Sequence, residues 1–151
     1  MSPFLAFHHF GLAIKQPKPA IGTLSLLGYE IGPLVFDPIQ NVNLILCEHP
    51  THPAVEIIFA GDGKGPVDNL VQRHASGIIY HLCYETESVD RALMHFQEAG
   101  IEVLCLSTPR PSLLFDGRKV SFYKILGIGL IEILERPPGV MPKRSGINAL
   151  L

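Results

Sequence analysis

The sequence predicts an α+β protein in which one unit, a strand followed by a helix and three strands, occurs twice. Two apolar runs rich in β-branched and aromatic residues, at 5–14 and 77–85, indicate the first strand of each copy. Each run contains a histidine, His9 in the first and His81 in the second. A segment with helical spacing follows each run and ends at a glycine. The two copies therefore carry a ligand-type side chain at the same place.

The remaining elements follow from apolar spacing and from the positions of glycine and proline. In the first copy we expect a helix from the prolines at 17 and 19 to Gly28, and a short helix at 67–74. Three extended segments are expected between them: 29–36 (broken by Gly32-Pro33), 42–47 and 55–59. The first copy is therefore expected to contain a strand, a helix and three further strands, followed by the short helix.

The second copy repeats this order. Ser88 is a candidate N-cap for a helix that ends near Gly100. Three strands are expected after the helix, at 101–106, 119–126 and 129–135, with a loop at 109–117. Glu85 and Glu102 are expected to face water, as charged residues on strands usually do.

Composition limits the classes of function. The chain has 151 residues, of which 47% are hydrophobic and 17% charged, and these values are typical of a folded domain. The net charge of −2 and the lack of a basic run argue against nucleic acid or an anionic membrane as the main partner. Neither a bilayer-spanning apolar run nor a basic-start signal peptide is evident, so a cytoplasmic location is expected.

The cysteines support the same compartment. Cys47, Cys83 and Cys105 lie in apolar, strand-like runs without CxxC spacing, and an odd number leaves one unpaired. Buried free thiols in a reducing environment are the simplest interpretation.

Each copy also has a glutamate inside its last apolar strand, Glu56 in Val-Glu-Ile-Ile and Glu132 in Ile-Glu-Ile-Leu. The glutamate follows the histidine of its own copy by 47 residues in the first and 51 in the second. A buried carboxylate is costly unless something neutralises it. If the copies pack by pseudo-twofold symmetry, two imidazoles and two carboxylates can converge on a divalent cation. The alternative is that each glutamate points to water and each histidine is structural.

Four segments resemble the methylmalonyl-CoA epimerases, which belong to the vicinal oxygen chelate superfamily of glyoxalases, bleomycin-resistance proteins and extradiol dioxygenases. Residues 8–14 are similar to the opening Asp-His-Ile-Gly-Ile-Ala-Val of those epimerases, and residues 80–86 to their His-His-Ile-Ala-Phe-Glu-Val. Residues 55–58 resemble a Glu-Leu-Leu segment, and residues 131–135 the closing Ile-Glu-Leu-Val-Glu. The resemblance covers about residues 6–136.

This resemblance implies a single domain over residues 1–151 made of two paired βαβββ modules. The modules span about 5–75 and about 76–136, and a tail follows at 137–151. The family fold is a curled mixed sheet around a metal-containing cavity. We also expect a homodimer, because an open sheet leaves strand edges and apolar surface uncovered.

The resemblance also implies a site. One divalent transition metal (Co, Mn, Ni, Zn or Fe) would be held by four side chains: His9, Glu56, His81 and Glu132. Glu132 would in addition act as a catalytic base toward a small oxygen-chelating substrate, such as the acyl group of an acyl-CoA, whose enolate the metal stabilises. Gln40 and Arg110 are the candidate substrate-binding residues.

One departure from the family pattern bears on the reaction. Ile39-Gln40-Asn41 occupies the place of the epimerases' Glu-Gln-Gly, whose glutamate is a proposed acid/base residue. The sequence therefore predicts proton exchange at the α-carbon with slow inversion. Two other functions remain open: a non-catalytic, resistance-type small-molecule binding protein, and an Fe(II) extradiol dioxygenase with two histidines and one glutamate.

Overall fold

The computed structural model describes residues 4–143, which contain eight strands and three helices. The elements of the first copy are β1 (Ala6–Ala13), α1 (Pro17–Leu26), β2 (Glu30–Asp37), β3 (Val42–Glu48), β4 (Ala54–Ala60) and α2 (Asp68–Arg73). Those of the second are β5 (Ile78–Thr86), α3 (Val89–Glu98), β6 (Val103–Pro111), β7 (Lys119–Ile125) and β8 (Gly129–Glu135). The predicted α+β class and the repeated strand–helix–three-strand order are confirmed.

The described chain divides into two compact units. The first unit comprises residues 9–80, and the second comprises residues 4–8 together with 81–143. No helix within residues 4–143 combines the length and the apolar composition needed to cross a bilayer.

In the first unit the strand order is β2-β3-β4-β1, with β1 parallel to β4 and the other neighbours antiparallel. Pro17 lies at the start of α1, where its missing N–H costs no hydrogen bond. Gly28 follows the helix with a φ of +94°, a conformation that favours glycine. Apolar side chains of α1 and the sheet form the core of this unit: Ile14, Ala20, Leu24, Ile45, Cys47 and Ile57.

The second unit repeats this arrangement in the order β5-β8-β7-β6, with β5 parallel to β8. The Ser88 hydroxyl accepts a hydrogen bond from the Arg91 N–H at 3.3 Å, which confirms the predicted N-cap of α3. The helix covers one face of the sheet, and five buried side chains form the core there: Val89, Tyr123, Ile125, Ile131 and Ile133.

The two edge strands differ from expectation. β2 is one strand whose register shifts between Ile31 and Leu34, so Gly32-Pro33 makes an irregularity in the strand and does not end it. β6 continues to Pro111 and so includes the first three residues of the loop predicted at 109–117, whereas residues 112–117 are a loop as predicted. Both strands have a neighbour on one side only, and an edge strand tolerates proline because that residue need not donate to a partner strand.

The edge position of β6 also explains why the predicted burial of all three thiols is wrong for one of them. Cys47 and Cys83 are buried free thiols, as predicted, whereas Cys105 on β6 is exposed. Burial raises the pKa of the Cys47 thiol to about 11, although a hydrogen bond with the Gly32 backbone acts in the opposite direction.

The expectation that Glu85 faces water is wrong, while that for Glu102 is confirmed. Glu85 is only 2% exposed. Its Oε2 lies 2.9 Å from Nη2 of Arg118, and its Oε1 lies 3.7 Å from Nη1 of Arg136. Oε1 also accepts a hydrogen bond from the backbone N–H of Lys143 at 3.1 Å. The described part of the predicted tail, 137–143, is therefore tied to β5 by this carboxylate, and residues 144–151 lie outside the described range.

Replacing the buried carboxylate tests this ion-pair cluster. We expect Glu85→Gln to lower the free energy of unfolding by roughly 2–4 kcal/mol, because the partly buried Arg118 guanidinium loses its counter-charge and Arg136 keeps only the more exposed Glu87 carboxylate. Glu102→Gln is the matched control at the exposed residue just before β6, with an expected change within about 0.5 kcal/mol. Urea unfolding of both variants measures the difference, and equal stabilities would contradict the assignment.

Candidate functional site

His9 and Glu56 form a buried pair in the first unit. Parallel pairing of β1 and β4 places Glu56 opposite Gly11, two residues after His9, so both side chains leave the same face of the sheet. His9 Nε2 lies 3.4 Å from Glu56 Oε2, and the two side chains are 0% and 4% exposed.

His81 and Glu132 form the corresponding pair in the second unit. Here Glu132 lies opposite Cys83, again two residues after the histidine. His81 Nε2 lies 2.9 Å from Glu132 Oε2, with side-chain exposures of 0% and 3%. The two pairs therefore occupy the same register in their units, although the intervening chain differs in length.

The alternative in which both glutamates face water is wrong, since Glu56 and Glu132 are 3% and 2% exposed. Within its own unit, each carboxylate has an imidazole nitrogen as a neighbour. A buried carboxylate can be neutralised by a protonated imidazole or by a bound cation. The donor set, imidazole nitrogen and carboxylate oxygen, suits the borderline divalent transition metals. The residues present therefore fit the predicted metal.

The surroundings of the two pairs differ. Beside Glu132 on β7 lies Phe122, and its ring meets that of His81 edge-on with centroids 5.9 Å apart. The equivalent neighbour of Glu56, on β3, is Leu46. Nothing in the sequence marks Phe122 as a site residue, because only the register of β7 against β8 places it beside the pair.

Gln40 lies in the turn between β2 and β3. Its side-chain Nε2 donates to Asp37 Oδ2 at 2.9 Å, and Asp37 Oδ1 accepts the backbone N–H groups of Ile39 and Gln40 at 2.8 and 3.2 Å. The turn therefore engages the Asp37 carboxylate fully and leaves the Gln40 amide oxygen available. Ile39 is 54% exposed.

Arg110 lies on the edge strand β6, opposite Val120 of β7. Val120 is two residues before Phe122, which is opposite Glu132. Residues two apart on a strand, and residues opposite each other, share a face of the sheet. Arg110 is therefore on the face of the second unit that carries the His81–Glu132 pair, which we call the Glu132 face.

Comparison with known proteins shows the superfamily to which the chain belongs. Residues 8–122 match the Glyoxalase/Bleomycin resistance protein/Dioxygenase superfamily, and the chain belongs to this superfamily. Among characterised proteins, an ethylmalonyl-CoA/methylmalonyl-CoA epimerase of Cereibacter sphaeroides is 26% identical over 116 residues, which are 76% of this chain and 84% of that protein. The family resemblance predicted from the sequence is confirmed.

Solved structures show the same fold. Methylmalonyl-CoA epimerase from Mycobacterium tuberculosis has a TM-score of 0.73 and 16% identity, over 91% of this chain and 93% of that one. A methylmalonyl-CoA epimerase in complex with methylmalonyl-CoA and NH4+ has a TM-score of 0.71 and 15% identity, over 93% and 100% of the two chains. The predicted fold class is confirmed by these similarities.

Proposed function

We propose that this chain is a metal-dependent enzyme that removes the α-proton of a malonyl-type acyl thioester. The main support for the proposal is that each unit contains a buried histidine–glutamate contact, and that the two contacts occupy the same register in their units. The similarity to an ethylmalonyl-CoA/methylmalonyl-CoA epimerase supports an acyl-CoA as the substrate.

We propose four ligands for one divalent transition metal: His9, Glu56, His81 and Glu132. Each unit would supply one imidazole nitrogen and one carboxylate oxygen, a donor set that suits a divalent transition metal. When bound, the metal supplies a Lewis acid that stabilises negative charge on the substrate's oxygens. The arrangement of the units around a cavity, which the family fold implies, stays a prediction.

The chain's own residues would then perform the proton transfer. The Glu132 carboxylate accepts the α-proton, and the neighbouring Phe122 ring limits access of water on the β7 side. The Arg110 side chain has no hydrogen bond or ion pair with another described residue, so its guanidinium is available to an anionic group of the substrate. The Gln40 amide oxygen can accept a hydrogen bond, since only its nitrogen is engaged by Asp37.

Inversion of the α-carbon needs a second acid/base group on the opposite side. Position 39 is isoleucine, and the nearby Asp37 carboxylate is held by three hydrogen bonds within its turn. The proposed enzyme therefore has one base, and it exchanges the α-proton faster than it inverts the centre.

Metal content tests the ligand set. We expect protein purified without chelator to carry about one divalent transition metal per chain, as a four-ligand site predicts. His81→Ala and Glu132→Ala should lose most of that metal because each removes a ligand. His95→Ala is the matched control, since the His95 side chain is 43% exposed on α3. Elemental analysis that found normal metal in both ligand variants would exclude the site.

The reaction is tested in heavy water with methylmalonyl-CoA and proton NMR. We expect metal-dependent incorporation of deuterium at the α-carbon, with epimerisation slower by about a hundred- to ten-thousand-fold, the usual cost of losing one acid/base group. Ile39→Glu should raise the epimerisation rate. Rapid epimerisation by the unmodified protein would show that the one-base argument is wrong.

Two further measurements, of ligand binding and of oxygen uptake, separate the two alternatives. Tight binding of small ligands without exchange into any thioester or 2-oxo acid would favour a non-catalytic binding protein. Oxygen uptake with catechols would favour an Fe(II) extradiol dioxygenase, for which the carboxylate of Glu56 would be one ligand too many.

A homodimer is also proposed. Exposed apolar side chains lie on both edge strands: Leu34 and Phe36 on β2, and Leu104 and Leu106 on β6. An uncovered apolar strand edge favours pairing with a second chain. Sedimentation at micromolar concentration should give about twice the 16.6 kDa chain mass, and a monomer alone would contradict this. The cytoplasmic location stays a prediction.

A further inference from the structure

The Glu132 face carries a second cation besides Arg110, the lysine at position 124. His81 is opposite Leu130, Leu130 is opposite Lys124, and Lys124 is opposite Leu104. These residues form one row across β5, β8, β7 and β6, and all four project from the same face. Two strand spacings separate the Cα atoms of His81 and Lys124, about 10 Å.

Lys124 has no counter-charge of its own. Its side chain is exposed and makes no hydrogen bond or ion pair with any other residue in the described range. Its row neighbours are leucines, and the outer one, Leu104, is 58% exposed. The lysine stem can therefore lie along an apolar surface while its ammonium group remains available to an anion.

The first unit has the opposite charge at the equivalent place. On β7, Lys124 is two residues after Phe122, the neighbour of Glu132. On β3, Glu48 is two residues after Leu46, the neighbour of Glu56. At this position of the sheet, the second unit therefore has a cation and the first has an anion. Arg110 is another exposed cation on the same face. It is opposite Val120, so it lies on the other side of Phe122 from Lys124.

We propose that Lys124 binds an anionic group of the substrate and is a specificity-determining residue. The inference rests on the proposed acyl thioester function. A lysine ammonium is a compact point charge that binds carboxylate and phosphate alike. The anion is therefore either the free carboxylate of a malonyl-type acyl group or a phosphate of the CoA moiety.

Three ligands distinguish those sources when their dissociation constants are measured by calorimetry with metal-loaded protein. Methylmalonyl-CoA has both anions, propionyl-CoA has the phosphates only, and the N-acetylcysteamine thioester of methylmalonate has the carboxylate only. We expect Lys124→Gln to weaken binding of methylmalonyl-CoA about tenfold or more, the effect of losing one charge-assisted hydrogen bond. If Lys124→Gln also binds the N-acetylcysteamine thioester more weakly, Lys124 contacts the carboxylate. If it also binds propionyl-CoA more weakly, Lys124 contacts a phosphate.

Lys119→Gln is the matched control, because Lys119 lies on the same strand but an odd number of residues from Lys124, on the opposite face. Lys124→Arg should retain most of the affinity. Deuterium exchange should show the Lys124→Gln effect in KM more than in kcat, with unchanged metal content.

The inference is overturned if Lys124→Gln binds all three ligands as tightly as Lys119→Gln does. That result, with wild-type protein still binding methylmalonyl-CoA, would leave the proposed function intact. A wild-type protein that binds none of the three ligands would contradict both.

Discussion

The burial of a carboxylate in the sheet of each unit is the constraint on which the candidate site depends. Glu56 and Glu132 lie in apolar strands, where an isolated negative charge would cost several kcal/mol. Each is approached by a histidine of its own unit, His9 or His81. Parallel pairing of the first and last strands of each unit makes this possible, because it puts the glutamate opposite the residue two positions after the histidine. Register, rather than sequence distance, fixes the pair.

Glu85 shows a different way of neutralising a buried carboxylate. It lies on β5 four residues after His81, and its partners are the guanidinium groups of Arg118 and Arg136. Arginine stays protonated throughout the physiological range and does not ligate metals, so this cluster is suited to holding chain segments together. A neutral imidazole can bind a metal cation, so a histidine–glutamate pair can hold either a proton or a metal ion. Partner chemistry therefore separates a structural carboxylate from a candidate ligand.

The two units share one topology but differ in chemistry. The second has an aromatic ring, Phe122, against its histidine–glutamate pair and two exposed cations on the same face, Arg110 and Lys124. At the equivalent positions of β3, the first has Leu46 and the acidic Glu48. At these positions the second unit therefore carries cations that can pair with an anionic group, whereas the first carries an apolar and an acidic residue. This asymmetry is the main reason to place substrate recognition on the Glu132 face.

The sequence by itself determined the order of the elements, the superfamily, and the histidine and glutamate of each repeat. These follow from local spacing: strands and helices show in the periodicity of apolar residues, and a carboxylate inside an apolar run is conspicuous. Only the tertiary structure decided which strands are edges and which residues face each other across the sheet. It therefore decided that Glu85 is buried, that Cys105 is exposed and that Lys124 shares a face with His81. Those facts depend on pairing between residues far apart in the chain, which local spacing does not specify.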